Sequence, residues 1–165
     1  MAITRILKHL LVPDWLTYRA FPRAALKRIE DAIGRSEAAH RGELRVAIEA
    51  GLDLMPLLRG TTPRQRAHEA FSRLRVWDTE ENSGVLIYLQ LADRDIEIVC
   101  DRGINAKVGP GQWDAICRRM EEAFRARRFE QGVLEGIEEI TQLLAKHFPP
   151  RRDNPDELPD RPVVL

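Results

Sequence analysis

A seven-residue apolar segment is the feature that most constrains the fold of this 165-residue chain. Val85–Leu91 has the sequence VLIYLQL, so both alternating faces of a strand over these residues are almost entirely apolar. A strand of this kind needs helices on each side of its sheet. Ala92–Asp95 predicts a turn after it, and residues 96–101 predict a second strand that returns antiparallel to the first. The segment therefore predicts the central strand of a layered α/β fold.

The residues before this segment predict another strand and a helix. Glu43–Glu49 alternates with the period of a strand. Thr62 and Pro63 supply an N-cap and a first-turn proline for a helix that continues to about Leu74. A strand, a helix and a strand in that order form a β-α-β unit, whose two strands are parallel. Together with the hairpin, this unit predicts a short mixed sheet.

Further amphipathic helices are predicted over residues 22–40, 110–127 and 129–147, where apolar side chains recur at helical spacing. These helices should cover the sheet. The predicted fold class is therefore α/β: a three-layer α/β/α sandwich with a short mixed central sheet, contained in one domain over residues 22–148.

The two ends of the chain have a different pattern. Residues 1–21 predict an N-terminal amphipathic segment, with a short helix over 4–11 that we expect to pack on its own domain or to contact a partner. Its apolar side holds Ile6, Leu7, Leu10 and Leu11, and its polar side holds Arg5, Lys8 and His9. Residues 149–165 are rich in proline and charge, which predicts a disordered tail whose acidic residues are solvated.

Composition limits the classes of partner. The chain has 26 basic and 26 acidic residues, so its overall charge favours neither nucleic acid nor an anionic membrane. Its two cysteines, Cys100 and Cys117, form no disulfide framework, which is typical of a reducing compartment. No apolar run approaches the roughly 18 residues of a transmembrane helix. We therefore expect a cytoplasmic protein without a membrane anchor, whose partner, if it has one, is another protein.

Acidic residues lie before the central strand and at the end of the hairpin. If the first two strands are parallel and the third is antiparallel, the beginnings of the first two and the end of the third share one sheet edge. The residues expected to converge there are Glu43, Asp78, Glu80, Glu81, Asn82 and Asp101, with His40 and Asp114 nearby. Carboxylate and amide oxygens are the ligands that Ca²⁺ and Mg²⁺ prefer.

The predicted metal ligands at this edge are Asp78, Glu80, Glu81, Asp101 and Asp114. The alternative is a solvated loop, with an ordinary surface ion pair between Asp101 and Arg102. No motif for an organic cofactor is present in the sequence.

A metal-assisted phosphatase is the catalytic hypothesis for the same edge. Asp101 or Asp78 would hold a metal-bound water, and Arg102 would hold the transferred phosphoryl group. The sequence lacks the Asp-x-Asp, Cys-x5-Arg and Arg-His-Gly motifs of known phosphatase classes. Its four histidines are scattered, and we expect all except His40 to be exposed.

The opposite edge of the sheet is a rival location, because ligands of open α/β sheets favour the carboxyl ends of parallel strands. That edge would hold residues 50–61 and the turn 92–95. Its charged residues are Asp53, Arg59, Asp93 and Arg94. The apolar segment Leu52–Leu58 is expected to be exposed there, which favours a protein-contact surface.

Several motifs in this order are typical of one family. They are Asn82–Ile87 at the entry to the central strand, Ile96–Val99 ending in Asp101-Arg102-Gly103, and Phe129–Gly132 at the start of the last helix. With the capped helix 62–74, they make residues 22–148 resemble the TPM domain family. This resemblance implies an α/β/α sandwich, and it implies the calcium binding or acid phosphatase activity described for some members.

After the hairpin, typical TPM domains have a Gly-x-Gly-x-Glu turn, of which this chain matches only Gly103. The expected function is a binding or accessory module with a weak divalent-cation site at the acidic edge. The alternatives are a metal-assisted acid phosphatase and a protein-interaction module without a ligand, which would use the N-terminal segment and residues 52–58.

Overall fold

The computed structural model describes residues 2–13, 15–152 and 156–165, and twelve helices and strands are found in these ranges. Their order is α1 (Ala2–Leu10), α2 (Trp15–Ala20), α3 (Arg23–Glu37), β1 (Glu43–Glu49), α4 (Leu54–Leu58), α5 (Pro63–Arg73), β2 (Gly84–Gln90), β3 (Asp95–Cys100), α6 (Arg102–Asn105), α7 (Pro110–Arg125), α8 (Phe129–His147) and β4 (Val163–Val164). Within the described ranges, no helix has the length and apolar character needed to cross a bilayer.

The four strands form one mixed sheet in the order β3-β2-β1-β4. β1 and β2 are parallel, with Glu43 opposite Gly84 and Glu49 opposite Gln90. β2 and β3 are antiparallel, as a hairpin requires. The predicted β-α-β unit, the hairpin and the mixed sheet are therefore confirmed.

Helices cover both faces of this sheet. On one face, α3, α7 and α8 pack against alternate residues of β1, β2 and β3, including Val46, Ile87 and Ile98. On the other face, α5 packs through Ala67, Ala70 and Phe71. All seven residues of β2 are buried, as its apolar sequence predicted. The three-layer sandwich is confirmed.

The second face of β1 is polar and is nevertheless buried. Glu49 lies under α5, where Arg66 donates hydrogen bonds to both carboxylate oxygens from Nε and a further one from Nη2, at 2.7–3.1 Å. The Tyr88 hydroxyl on β2 donates to the same carboxylate. A buried charge is stable only when such partners compensate for its lost hydration. The sequence of β1 therefore requires a basic residue in the covering helix.

Three short helices and one strand were not predicted. α2, α4 and α6 have between four and six residues, which is too short to show a helical period in sequence. The apolar segment 52–58 largely folds as α4, and Leu54, Met55 and Leu58 are exposed as expected.

The prediction of a disordered tail is wrong for residues 156–165. Val163 and Val164 pair with Ala47 and Ile48 as β4, and the Leu165 N–H donates to the Ile48 carbonyl oxygen at 2.9 Å. Leu158 is buried against the second face of the sheet. The pairing is long-range, so no local pattern could show which strand these residues join. The rest of the predicted tail, residues 153–155, lies outside the described residues.

Gly84 begins β2 at a point where the chain leaves no room for a side chain. A Cβ at this position would overlap the carbonyl oxygen of Val76. We expect Gly84→Ala to lower the free energy of unfolding by about 3 kcal/mol or more, because backbone atoms rather than a flexible side chain would have to move. The measurement is urea unfolding followed by circular dichroism.

Gly111→Ala is the matched control. This glycine lies in the first turn of α7, and a Cβ there has nothing within 4 Å. Alanine is also the better helix former, so stability should be unchanged or raised. Equal unfolding midpoints for the two variants would contradict the steric interpretation of Gly84.

Candidate functional site

The loop before β2 and the end of β3 meet at one edge of the sheet, as the topology predicted. The Asp101 N–H donates to the Gly84 carbonyl oxygen at 2.8 Å, and the Ile104 N–H donates to the Asn82 carbonyl oxygen at 3.2 Å. Gly103 fits tightly between them, since a Cβ there would lie 2.5 Å from the Glu81 carbonyl oxygen. We call this edge the acidic edge.

Two of the predicted metal ligands at the acidic edge already have partners. Asp101 is buried and accepts a hydrogen bond from the Arg102 N–H at 2.7 Å, so it caps α6 instead of forming an ion pair with the Arg102 side chain. Glu81 pairs with Arg41 at 2.5 Å and with Arg151 at 3.1 Å. Asp101 and Glu81 each keep one buried carboxylate oxygen that makes no hydrogen bond within the described part of the chain.

The other residues predicted for the acidic edge do not share a common site with Asp101 and Glu81. Asp78 and Glu80 are exposed on the loop, and Asp114 is exposed in the second turn of α7. His40 is fully buried, with Nε2 2.7 Å from the Ser36 hydroxyl. Burial lowers the pKa of His40 to about 4, against the opposing effect of a backbone hydrogen bond at Gly42. This histidine therefore belongs to the core.

A different group of acids comes together beside the acidic edge. Ligand oxygens of Glu37, Asp156 and Asp160 all lie within 4.8 Å of one another, and the described ranges hold no other such trio of His, Cys, Asp or Glu. Glu37 ends α3, and the two aspartates lie in the C-terminal segment. Gly34 makes room for them, because a Cβ on it would be 2.9 Å from Asp160 Oδ2. We call these three residues the carboxylate cluster.

Buried Glu43 holds the C-terminal segment in this position. Its two carboxylate oxygens accept hydrogen bonds from the Glu157 and Leu158 N–H groups, each at 3.2 Å. Burial raises the pKa of Glu43 to about 7, although these two hydrogen bonds oppose the shift. The Glu157 carboxylate in turn accepts from the Glu80 N–H at 3.0 Å. The segment therefore joins the carboxylate cluster to the loop that was predicted to bind metal.

The electrostatics of the carboxylate cluster favour a positive charge. Burial raises the pKa of Glu37 to about 10, with further contributions from a hydrogen bond to Asp160 and from the charges of Glu43, Asp160 and Asp156. A proton on Glu37 relieves this repulsion, and a divalent cation would do so by the same electrostatics. Asp160 also has a buried Oδ1 without a hydrogen-bond partner among the described residues. The arrangement is suited to a hard cation with oxygen ligands.

Residues 19–143 match the profile of the TPM domain. The chain belongs to the TPM domain family. Its fold is similar to that of the BA42 protein from the psychrophilic bacterium Bizionia argentinensis, with a TM-score of 0.76 and 33% sequence identity over 86% of this chain and 93% of that one. No protein with a curated description matches.

Two more distant structures show the fold alone. The N-terminal domain of a P. gingivalis protein has a TM-score of 0.61 at 17% identity, over 86% of this chain and 95% of its own. The N-terminal domain of a Corynebacterium glutamicum protein has a TM-score of 0.54 at 13% identity, over 74% and 72%. Asp156 and Asp160 lie beyond the residues that match the TPM domain, so the carboxylate cluster combines the domain with this chain's own C-terminal segment.

The opposite edge of the TPM domain is occupied by α1. His9 is only 2% exposed, so the prediction that it is exposed is wrong. Its Nδ1 accepts a hydrogen bond from the Leu52 N–H at 2.9 Å, and its Nε2 lies 2.9 Å from Asp93 Oδ1. Arg5 donates to Asp93 Oδ2 at 2.8 Å and to the Thr61 carbonyl oxygen at 2.9 Å. Burial tends to raise the pKa of Asp93, but hydrogen bonds from Arg5 and His9 hold it below its ordinary value.

The carboxylate cluster was not predicted from sequence, because the acids of the tail were expected to be solvated. The one signal of an ordered tail was Val163-Val164-Leu165, a short β-branched and apolar run at the end of a charged segment. Such a run predicts a strand when an unpaired sheet edge lies within reach. The contact of Glu37 with residues over one hundred positions away had no local signal.

The raised pKa of Glu37 makes the stability of the TPM domain depend on pH. Between the unfolded value near 4.5 and the folded value of about 10, the folded protein holds a proton that the unfolded chain has lost. Stability should therefore fall as pH rises through this window, with a slope for this group of at most about 1.4 kcal/mol per pH unit. Glu37→Gln cannot ionise and should flatten the dependence, measured by urea unfolding from pH 5 to pH 9 at about one-unit steps.

Glu122→Gln is the control, because Glu122 is an exposed glutamate of α7 outside the carboxylate cluster. Its pH dependence should follow that of the native protein. An unchanged slope in Glu37→Gln would show that Glu37 is ionised throughout the range.

Proposed function

We propose that this TPM domain protein is a binding or accessory module with a weak divalent-cation site at the acidic end of its sheet, formed by Glu37, Asp156 and Asp160. The observation that carries the proposal is the separation of their ligand oxygens, which are within 4.8 Å of one another. Three carboxylates completed by water molecules are an acceptable ligand set for Ca²⁺ or Mg²⁺. A site with so few protein ligands is expected to be weak.

A bound cation would join parts of the chain that are distant in sequence. It would bridge the end of α3 to the C-terminal segment, which Glu43 already holds through two amide hydrogen bonds. Binding would also release the proton from Glu37, so affinity should increase with pH. The cation would in this way stabilise the packing of the segment on the sheet, which is the action of an accessory site rather than of a catalytic one.

A calcium titration followed by amide chemical shifts in NMR tests the proposal. We expect shifts centred on residues 34–37 and 156–160 in the native protein, because these amides lie nearest the carboxylate cluster. Asp160→Asn should abolish them, since it removes the charge and keeps the shape. Asp114→Asn is the matched control: this predicted ligand is exposed on α7, and its replacement should leave the titration unchanged.

The same spectra distinguish the two possible locations. Shifts confined to residues 78–82 and 101–114 would assign the ion instead to the ligands predicted from sequence, where Asp101 and Glu81 have buried oxygens without hydrogen bonds in the described part of the chain. Unchanged spectra up to about 10 mM Ca²⁺ and Mg²⁺ would reject both sites, since that concentration exceeds the weakest dissociation constants of protein calcium sites.

The phosphatase hypothesis stays a prediction, with Asp101 and Arg102 as its residues. Arg102 is exposed at the acidic edge and makes no ion pair with a described residue, so its replacement should not disturb the fold. If the hypothesis is correct, Arg102→Ala should lower phosphate-ester hydrolysis by at least about tenfold. Equal rates for the native protein and Arg102→Ala, in the presence of Mg²⁺, would remove Arg102 from any catalytic role.

A further inference from the structure

Helix α1 packs on the TPM domain through its polar side. The residues that contact the domain are Arg5 and His9, which bind Asp93 and the backbone at Leu52 and Thr61. The apolar side of the same helix points away from the domain: Ile3 is 74% exposed, and Leu7 and Leu10 are each 54% exposed. This orientation is the reverse of the usual one, in which the apolar stripe of a surface helix faces the core. The helix thus packs on its own domain, one of the two alternatives expected from sequence, but leaves its apolar side free for a partner.

Almost all of the exposed large hydrophobic side chains of the described residues lie between Ile3 and Tyr18 or on α4. They are Ile3, Leu7, Leu10, Leu11, Trp15, Tyr18, Leu54, Met55 and Leu58, and Trp77 is the single exception. α1 and α4 pack against each other. We call these nine side chains the N-terminal apolar face. Soluble proteins rarely expose so many large apolar side chains close together, and where they do, the exposed patch is usually a binding surface.

The position of α1 is fixed by close packing. A Cβ on Gly51 would lie 2.8 Å from the His9 carbonyl oxygen, so the glycine lets the helix approach the end of β1. Buried His9 then holds the helix by its polar contact with the partly buried Asp93. The apolar side is therefore presented outward by a specific set of interactions, and not by a loose helix.

Positive charge accompanies the N-terminal apolar face. Residues 1–28 contain six lysines and arginines and one acidic residue. Four of the six form ion pairs: Arg5 and Lys8 with Asp93, Lys27 with Asp31, and Arg28 with Glu130. Arg19, Arg23 and Arg59 are exposed, and none of them forms an ion pair with a described residue. The overall charge of the chain favours no anionic membrane, but these three arginines leave unpaired positive charge in this part of the protein.

We propose that the N-terminal apolar face binds the surface of an anionic lipid bilayer. A nine-residue helix is about 14 Å long, which is too short to cross the hydrocarbon layer of about 30 Å, so α1 would lie in the plane of the interface. Leucines enter the acyl region in such a geometry, while Trp15 and Tyr18 are the residue types that favour the boundary with water. The unpaired arginines would contact the lipid phosphates. This proposal uses none of the residues of the carboxylate cluster.

Vesicle co-sedimentation of the full chain tests the proposal, with EDTA present so that the result does not depend on a divalent cation. We expect binding to vesicles of equal parts phosphatidylcholine and phosphatidylglycerol. The double variant Leu7→Ser, Leu11→Ser should bind at least about tenfold more weakly, because two exposed leucines no longer enter the bilayer. Trp77 is exposed and lies outside the face, so Trp77→Ser should bind like the native protein.

Charge is tested separately. Arg19→Gln, Arg23→Gln should bind the anionic vesicles at least about fivefold more weakly, and the native protein should bind vesicles of phosphatidylcholine alone more weakly by a similar factor or more. Circular dichroism spectra of all variants should match the native spectrum, since the replaced side chains are exposed.

Tryptophan fluorescence gives a direct readout of insertion. In a Trp77→Phe protein the remaining tryptophans are half-exposed Trp15 and buried Trp113, so a blue shift on adding anionic vesicles reports Trp15. Failure of the native chain to bind anionic vesicles would overturn the proposal, as would equal binding by the Leu7, Leu11 variant. A concentration-dependent dimer that this variant abolishes, without vesicle binding, would instead assign the face to a second copy of the chain.

Discussion

Both faces of β1 are buried, and one of them carries three charged residues. Glu43, Arg45 and Glu49 lie on the same face of a strand whose seven residues are all buried. Charges in such positions are stable only with compensating partners. α5 supplies Arg66 to Glu49, and the C-terminal segment supplies two amides to Glu43. The requirement for partners of the buried charges on β1 is therefore met in part by the last ten residues, which fold back onto the sheet.

The same requirement concentrates negative charge at one end of the molecule. Holding the C-terminal segment against Glu43 brings Asp156 and Asp160 beside Glu37, where burial and mutual repulsion disfavour ionisation. Arg45 is close enough for the acids to raise its pKa, although burial has the larger, opposite effect. A proton and a metal ion are alternative ways to balance this charge. The link between packing and the proposed cation site is thus electrostatic, through the charges that the C-terminal segment brings beside Glu37.

At the other end of the sheet, the polar contact of Asp93 with α1 produces an apolar surface instead of an acidic one. Asp93 lies in the turn after β2 and binds Arg5 and His9, so the polar side of α1 faces the domain. Arg5 and His9 lie on the side of α1 opposite Leu7 and Leu10. When these two residues contact Asp93, the leucines therefore face away from the domain. The two ends of this TPM domain therefore differ in character: one is acidic and closed by the C-terminal segment, and the other is apolar, basic and open.

The sequence by itself determined the central layers. The apolar run of β2, the alternation of β1 and the capped helix α5 are local patterns. Local patterns are sufficient to predict a helix or strand when the segment is long enough for its period to be recognised. The meeting of the Asn82 loop with the end of β3 followed from strand direction alone. Only the tertiary structure decided which acids share a cluster, which side of α1 faces inward and whether the tail is ordered. Each of these depends on a partner distant in sequence, such as Asp93 for His9 or Glu43 for the Leu158 amide. The physical reason is that the free energy of a buried charge is set by its neighbours in space, which a local pattern does not show.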